Sequence, residues 1–197
     1  MEFFVEFMMM ALTALSIENA IFTRALGIGK SMFTVKSTRQ ILIYGGMVTF
    51  TTTLASALCS PLSQLSAVRA WGGYYRSLLF LVVLCALYVV FLFFMRLLPQ
   101  RIAAMTSGFL PLAFFNCAAF GSVMLCSFQA YDFAQFTGFG FGTGVGFTVA
   151  YLLVVEGRRR SELSSVPKAF RGFPATVMYI GILSLAFYGL TGHQLPI

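Results

Sequence analysis

LLFLVVLCALYVVFLFFM, Leu78–Met95, runs for eighteen residues without a charge, a proline or a glycine. An α-helix rises about 1.5 Å per residue, so this stretch alone covers most of a hydrocarbon core of about 30 Å. Outward from it the same texture continues: over 197 residues, 59% are hydrophobic, 10% are charged and the mean hydropathy is +0.88. A chain this poor in charge cannot coat a water-soluble globule, so its solvent is mostly lipid. Reading the apolar runs between charged or Pro/Gly-rich breaks gives about six spans of roughly 20 residues each. They are Phe3–Phe22, Ile41–Ser60, Leu78–Met95, Ile102–Phe128, Phe133–Val155 and Phe173–Leu190. The first does not read as a removable signal peptide, because Glu2 and Glu6 stand where a basic n-region belongs. The expectation is an all-α integral membrane protein forming one membrane domain over residues 1–197, with no room for a flavin- or nucleotide-binding fold.

The formal net charge of +7 does not indicate nucleic-acid binding, because the basic residues sit between apolar spans and form no face of their own. Arg24, Lys30, Lys36 and Arg39 follow the first span, Arg96 and Arg101 the third, and Arg158, Arg159, Arg160, Lys168 and Arg171 the fifth. Only Arg69 and Arg76 fall between the second and third. The Ser127–Gln135 connection has no Lys or Arg, and the C-terminal tail carries only His193. By the positive-inside rule the odd-numbered loops are cytoplasmic and both termini face away from the cytoplasm.

Three spans precede the break at Leu98, Pro99, Gln100 and Arg101, and three follow it. An odd number per half inverts the second half relative to the first, giving a repeat over about residues 1–97 and another over about 102–191, with a site expected at the midplane between them. Spans one and four both read as interrupted. Span one continues past Ser16, Glu18 and Asn19 to Leu26, Gly27, Ile28 and Gly29, longer than a straight crossing requires. Span four contains Gly108, Pro111, Asn116 and Gly121, and a proline in a helix interior removes a backbone donor. Broken backbone at membrane depth is tolerated only where protein buries it or a site uses it.

An intramembrane carboxylate is costly, which makes Glu18 a functional candidate together with Asn19. Glu18 equally reads as an interfacial residue that caps a half-helix or pairs with Arg24. Asn116 and Cys117 place an amide beside a thiol within span four, where a lone cysteine ordinarily packs as a small apolar residue. Cys59, Cys85 and Cys126 have no ligand spacing and read as packing or lipid-facing thiols. The run Gly138, Gly140, Gly142, Gly144 and Gly146 follows no strand and is closed by no Lys-Ser/Thr, so it is not a phosphate loop. Its spacing of four suits close helix packing.

Taken in order, Ser16-Ile17-Glu18-Asn19, Leu26-Gly27-Ile28, Phe109-Leu110-Pro111-Leu112, Asn116-Cys117-Ala118, Gly121, Gly138 to Gly146, Val166-Pro167, Phe170-Arg171-Gly172 and Ser184-Leu185-Ala186-Phe187 resemble one family over essentially the whole chain. It is the family of paired small membrane subunits of the Rnf complex and the Na+-translocating NADH:quinone oxidoreductase, on the side of the Rnf A and Nqr E subunits. The resemblance implies a subunit of an ion-translocating oxidoreductase in the bacterial or archaeal cytoplasmic membrane, inactive alone. With a sister six-helix subunit it would hold a 2Fe–2S cluster near the midplane, two cysteines from each, and relay electrons coupled to Na+ or H+ movement. Glu18, Asn19 and Asn116 would then be the polar residues nearest the ion path, and Cys117 matches the second-half cluster ligand. The first-half ligand falls on Gly29, which has no side chain to offer.

Three accounts of that departure stay open. Cys59 or Cys126 reaches the site, three cysteines and another ligand hold the cluster, or the scaffold has lost it. Two other functions stay open as well: an inverted-repeat transporter without a redox role, and a cluster-less structural subunit that docks redox partners through its basic loops.

Overall fold

The computed structural model describes residues 1–29, 37–65, 68, 73–97, 106–163 and 172–191. Lys30, Lys36, Arg69, Arg101, Lys168, Arg171 and His193, the Val166-Pro167 pair, and the first two residues of the Phe170-Arg171-Gly172 motif lie outside these. Within them every regular element is helical: α1 (Glu2–Ser16), α2 (Thr38–Gln64), α3 (Gly73–Leu97), α4 (Leu110–Phe114), α5 (Cys117–Phe128), α6 (Phe133–Leu163) and α7 (Phe173–Thr191). Four segments are long and apolar enough to cross a membrane: Thr38–Gln64, Gly73–Leu97, Leu110–Phe128 and Phe133–Arg160; Phe173–Gly189 is a shorter apolar helix.

Several helices outrun the apolar runs that announced them. α2 begins at Thr38 and α6 reaches Leu163, because hydrogen-bonded backbone continues past the last apolar residue into charged sequence. α1 does the opposite and stops at Ser16, well short of Phe22.

The glycine run on α6 is the seam on which the core is built. A Cβ at Gly138 or Gly142 would collide with backbone atoms of Phe7 or Ala11 on α1. A Cβ at Gly140 or Gly144 would collide with α2 at Ser56 or Thr49. Alternate glycines thus admit one helix on each side at backbone contact, where dispersion and packing hold helices together without help from water. The paired residues rise together on α1 and α6, so these helices run parallel. On α2 they fall, so α2 is antiparallel, tied at one end by Arg159 to Thr38 (3.3 Å) and at the other by Gln64 to Asp132 (3.4 Å). α3 buries little beyond Phe80 and Leu84, leaving Val82, Val89, Val90 and Phe93 exposed.

Candidate functional site at two helix interruptions

α1 ends because Asn19 draws the backbone away from the helix. Its Nδ2 donates to the Leu15 carbonyl at 2.9 Å, one of the carbonyls left over at the helix end, and to the Gly146 carbonyl of α6 at 3.2 Å. Its Oδ1 accepts from the N–H groups of Ile21 (3.0 Å) and Phe22 (3.3 Å), capping the single turn that follows. That turn closes with Ala25 in the left-handed region at φ 54° and the Leu26 N–H on the Ala20 carbonyl at 2.7 Å. Every polar atom of this 2% exposed side chain is used, which is what burial of an amide requires.

The second interruption repeats the arrangement with one substitution. Between α4 and α5, Asn116 accepts at Oδ1 from the Ala118 N–H at 3.0 Å and so caps α5. Its Nδ2 donates to the Tyr44 hydroxyl at 3.2 Å, and that hydroxyl donates to the Leu112 carbonyl at 3.3 Å. Leu15 precedes Asn19, and Leu112 precedes Asn116, by the same four residues. The first asparagine reaches its carbonyl directly; the second reaches it through a tyrosine.

The two breaks meet. The Gly27 N–H donates to the Cys117 Sγ at 2.9 Å. Gly27 has φ 85°, and a Cβ there would strike the Phe147 ring and stand 3.2 Å from Asn116 Oδ1, so both the conformation and the space call for glycine. Gly146 and Phe147 lie at the middle of the Phe133–Arg160 segment, so the two breaks meet midway along a helix long and apolar enough to cross a membrane. A groove of about 330 Å3 opens there, lined by Gly27, Gly29, Tyr44, Pro111, Asn116 and Cys117 among others. Cys117 is exposed on it, and a Cβ at Gly29 would meet none of the described residues within 4 Å.

The residues singled out in the sequence therefore separate. Asn116, Cys117 and Gly29 share the groove; Asn19 lies behind it, sealed against α6. Glu18 forms an ion pair with Arg24, whose Nε and Nη2 donate to Oε2 at 2.8 and 2.6 Å. Tyr44 and Phe147 are not among the residues that the sequence singles out, although Tyr44 lines the groove and Phe147 packs against Gly27. Tyr44 reads as one more apolar position of α2, and nothing in its neighbours announces a hydroxyl used 68 residues away. Gly27 carried a signal, standing in a Leu-Gly-Ile-Gly stretch just after the interruption.

The Rnf-Nqr subunit family of membrane proteins matches residues 7–194. The chain belongs to that family. The A-type component of an ion-translocating oxidoreductase complex from Aromatoleum aromaticum is 34% identical over 187 residues, covering 95% of this chain and 97% of the relative. Its counterpart from an Azoarcus species is 32% identical with the same coverage. The A-type component of a Na+-translocating ferredoxin:NAD+ oxidoreductase complex from Acetobacterium woodii is 29% identical, covering 93% of this chain and 96% of the relative. These relatives are named as subunits of oxidoreductase complexes, and with the spans above this Rnf-Nqr chain is a multi-pass membrane protein.

The 2Fe–2S cluster expected from the resemblance can be tested against the donors present. Iron–sulfur clusters are held by cysteine thiolates, with histidine as the known replacement. Among the described residues no group of three or more His, Cys, Asp or Glu is placed to hold a metal. Cys59 and Cys126 are fully buried around Phe80, Phe136 and Phe139. Cys126 lies nine residues beyond Cys117 on α5, about 13 Å along the axis and half a revolution away, on the opposite face. Cys85 belongs to α3 and does not line the groove. This half-site offers one sulfur where the expected set needs two, so the residues present do not fit it.

Proposed function

We propose that this chain is the A-type membrane subunit of an Rnf/Nqr-like ion-translocating electron-transport complex in the cytoplasmic membrane. It pairs there with a sister six-helix subunit and with redox subunits that carry the flavin and iron–sulfur chemistry. The observation that carries the reading is the mid-depth junction, where two interrupted helices are capped by Asn19 and Asn116 and joined through Gly27 and Cys117. A chain that only filled the bilayer would have no reason to hold broken backbone at that depth, and an end-to-end family match gives the junction its setting.

In this reading the chain has six spans in two inverted halves, with both termini away from the cytoplasm. Support comes from the matching Leu-to-Asn spacing at corresponding places in the first and fourth spans, and from the basic residues Arg24, Arg39, Arg96 and Arg158 to Arg160 in odd-numbered connections. The groove is the face toward the sister subunit. Na+ or H+ crosses near the junction, with Glu18 and Arg24 at its edge. Asn19 and Asn116 position the backbone there, since their own polar atoms are committed to caps.

The test is purification of the tagged chain from its native membrane in mild detergent, followed by ion-uptake measurements on membrane vesicles. Co-purification with flavin- and iron–sulfur-carrying subunits, and electron-transfer-driven ion uptake lost on deletion, are expected. A chain that purifies alone and leaves uptake unchanged on deletion refutes the reading and favours a transporter.

A further inference from the structure

We infer that the core built on this chain does not hold a 2Fe–2S cluster in all-cysteine coordination, because this half of the site presents a single sulfur, Cys117, opposite a bare backbone at Gly29. The inference rests on the proposed pairing with a sister subunit. It chooses among the accounts that the sequence leaves open.

The first of those accounts fails on geometry. Another thiol of this chain would have to reach the groove, yet Cys126 points from the opposite face of α5 and Cys59 is enclosed with it in a packed apolar cluster. Bringing either one round would require unpacking Phe80, Phe136 and Phe139, a rearrangement that close-packed interiors resist. Crowding does not explain the glycine either. Gly27 needs its hydrogen for φ and for Phe147, whereas no described residue comes within 4 Å of a Cβ at Gly29, whose φ lies outside the left-handed region. Among the described residues nothing stands in the way of a cysteine at position 29, so its absence is a change of chemistry and not a concession to their packing. The groove also remains formed without it: the Gly27 N–H donates to Cys117 Sγ, and Asn116 and Tyr44 tie the adjoining backbone to each other and to the Leu112 carbonyl, in hydrogen bonds that ask nothing of residue 29.

Three preparations of the intact complex test this: wild type, Cys117→Ala and Gly29→Cys, compared by iron content, EPR of the reduced complex and Mössbauer spectroscopy. The signals of partner subunits are common to all three and cancel in the differences. The wild-type minus Cys117→Ala difference is expected to contain no 2Fe–2S spectrum with four sulfur ligands. A rhombic 2Fe–2S signal with all-sulfur coordination, present in wild type and lost in Cys117→Ala, overturns the inference. A second measurement needs no partner. In oxidant-treated native membranes, Gly29→Cys is expected to form an intramolecular disulfide with Cys117, detected by protection from maleimide. Protection absent in Gly29→Cys, together with no cross-link to Cys117 by a short bis-maleimide, means that positions 29 and 117 do not face one groove, and the inference falls. Failure to co-purify with redox subunits is a different result, which counts against the proposed function and leaves the disulfide measurement to decide the geometry.

Discussion

Asn19 and Asn116 solve one problem in two settings. Each follows a leucine by four residues, each caps the backbone two residues on, and each satisfies the leucine carbonyl stranded where its helix stops. The first does so alone, pressed against Gly146 and cut off from any opening. The second works through Tyr44 and stands at the rim of a groove, next to an exposed thiol. A helix break at membrane depth is thus not itself a site. The sealed break fixes backbone; the open one offers chemistry, and its longer hydrogen-bond chain spans the gap that leaves the groove room.

The largest expected effect comes from attacking the sealed junction from α6. Gly146→Val would place side-chain atoms where Leu15 Cα and Asn19 Nδ2 already stand 3.0 and 3.1 Å from a bare Cβ. Overpacking of this kind costs about 1–3 kcal/mol before the loss of the Asn19 bond is added. Thermal unfolding in detergent should fall by several degrees or the chain should fail to accumulate, and an unchanged transition would show the seam to be loose.

Asn19→Ala should come next. It strands the Leu15 carbonyl and the Ile21 and Phe22 N–H groups in a buried place, for about 2 kcal/mol by the cost of unmade buried hydrogen bonds. The same unfolding measurement reads it, and the maleimide labelling rate of Cys117 should move less than on loss of the Tyr44 relay, because Asn19 reaches the thiol only through the turn that leads to Gly27.

Tyr44→Phe removes the relay. The Asn116 Nδ2 and the Leu112 carbonyl lose a partner beside an open groove, where solvent or a partner subunit replaces part of it, so about 1 kcal/mol is expected. Here the labelling rate of Cys117 should change more than in Asn19→Ala; equal changes in both variants would erase the distinction between sealed and open breaks. Gly29→Ala should be the smallest of the four, within about 0.5 kcal/mol, since the new methyl enters open space. A large loss on that change would mean that the groove is closed by something packed against Gly29.

Much of this was legible in the sequence, for identifiable reasons. Apolar runs must report membrane helices, because lipid leaves backbone no other partner than itself, and the spacing of Gly138, Gly142 and Gly146 could only suit close packing on one face. The interruptions were legible too, since Asn19 and Pro111–Asn116 stand where an apolar helix has no use for them. The role of Glu18 was not, because an ion pair with Arg24 and a solitary carboxylate look alike along the chain. Nor was Tyr44, whose hydroxyl matters only once α2 lies beside α4.

Composition and residue order by themselves determined that this chain lives in a membrane, which family it joins and that position 29 has no thiol, because these depend on local chemistry alone. Only the tertiary structure decided that Gly29 and Cys117 share a groove, that Asn116 lines it while Asn19 packs against α6, and that the remaining described thiols stay out of reach. Those are facts about distances between residues far apart along the chain, and packing sets them.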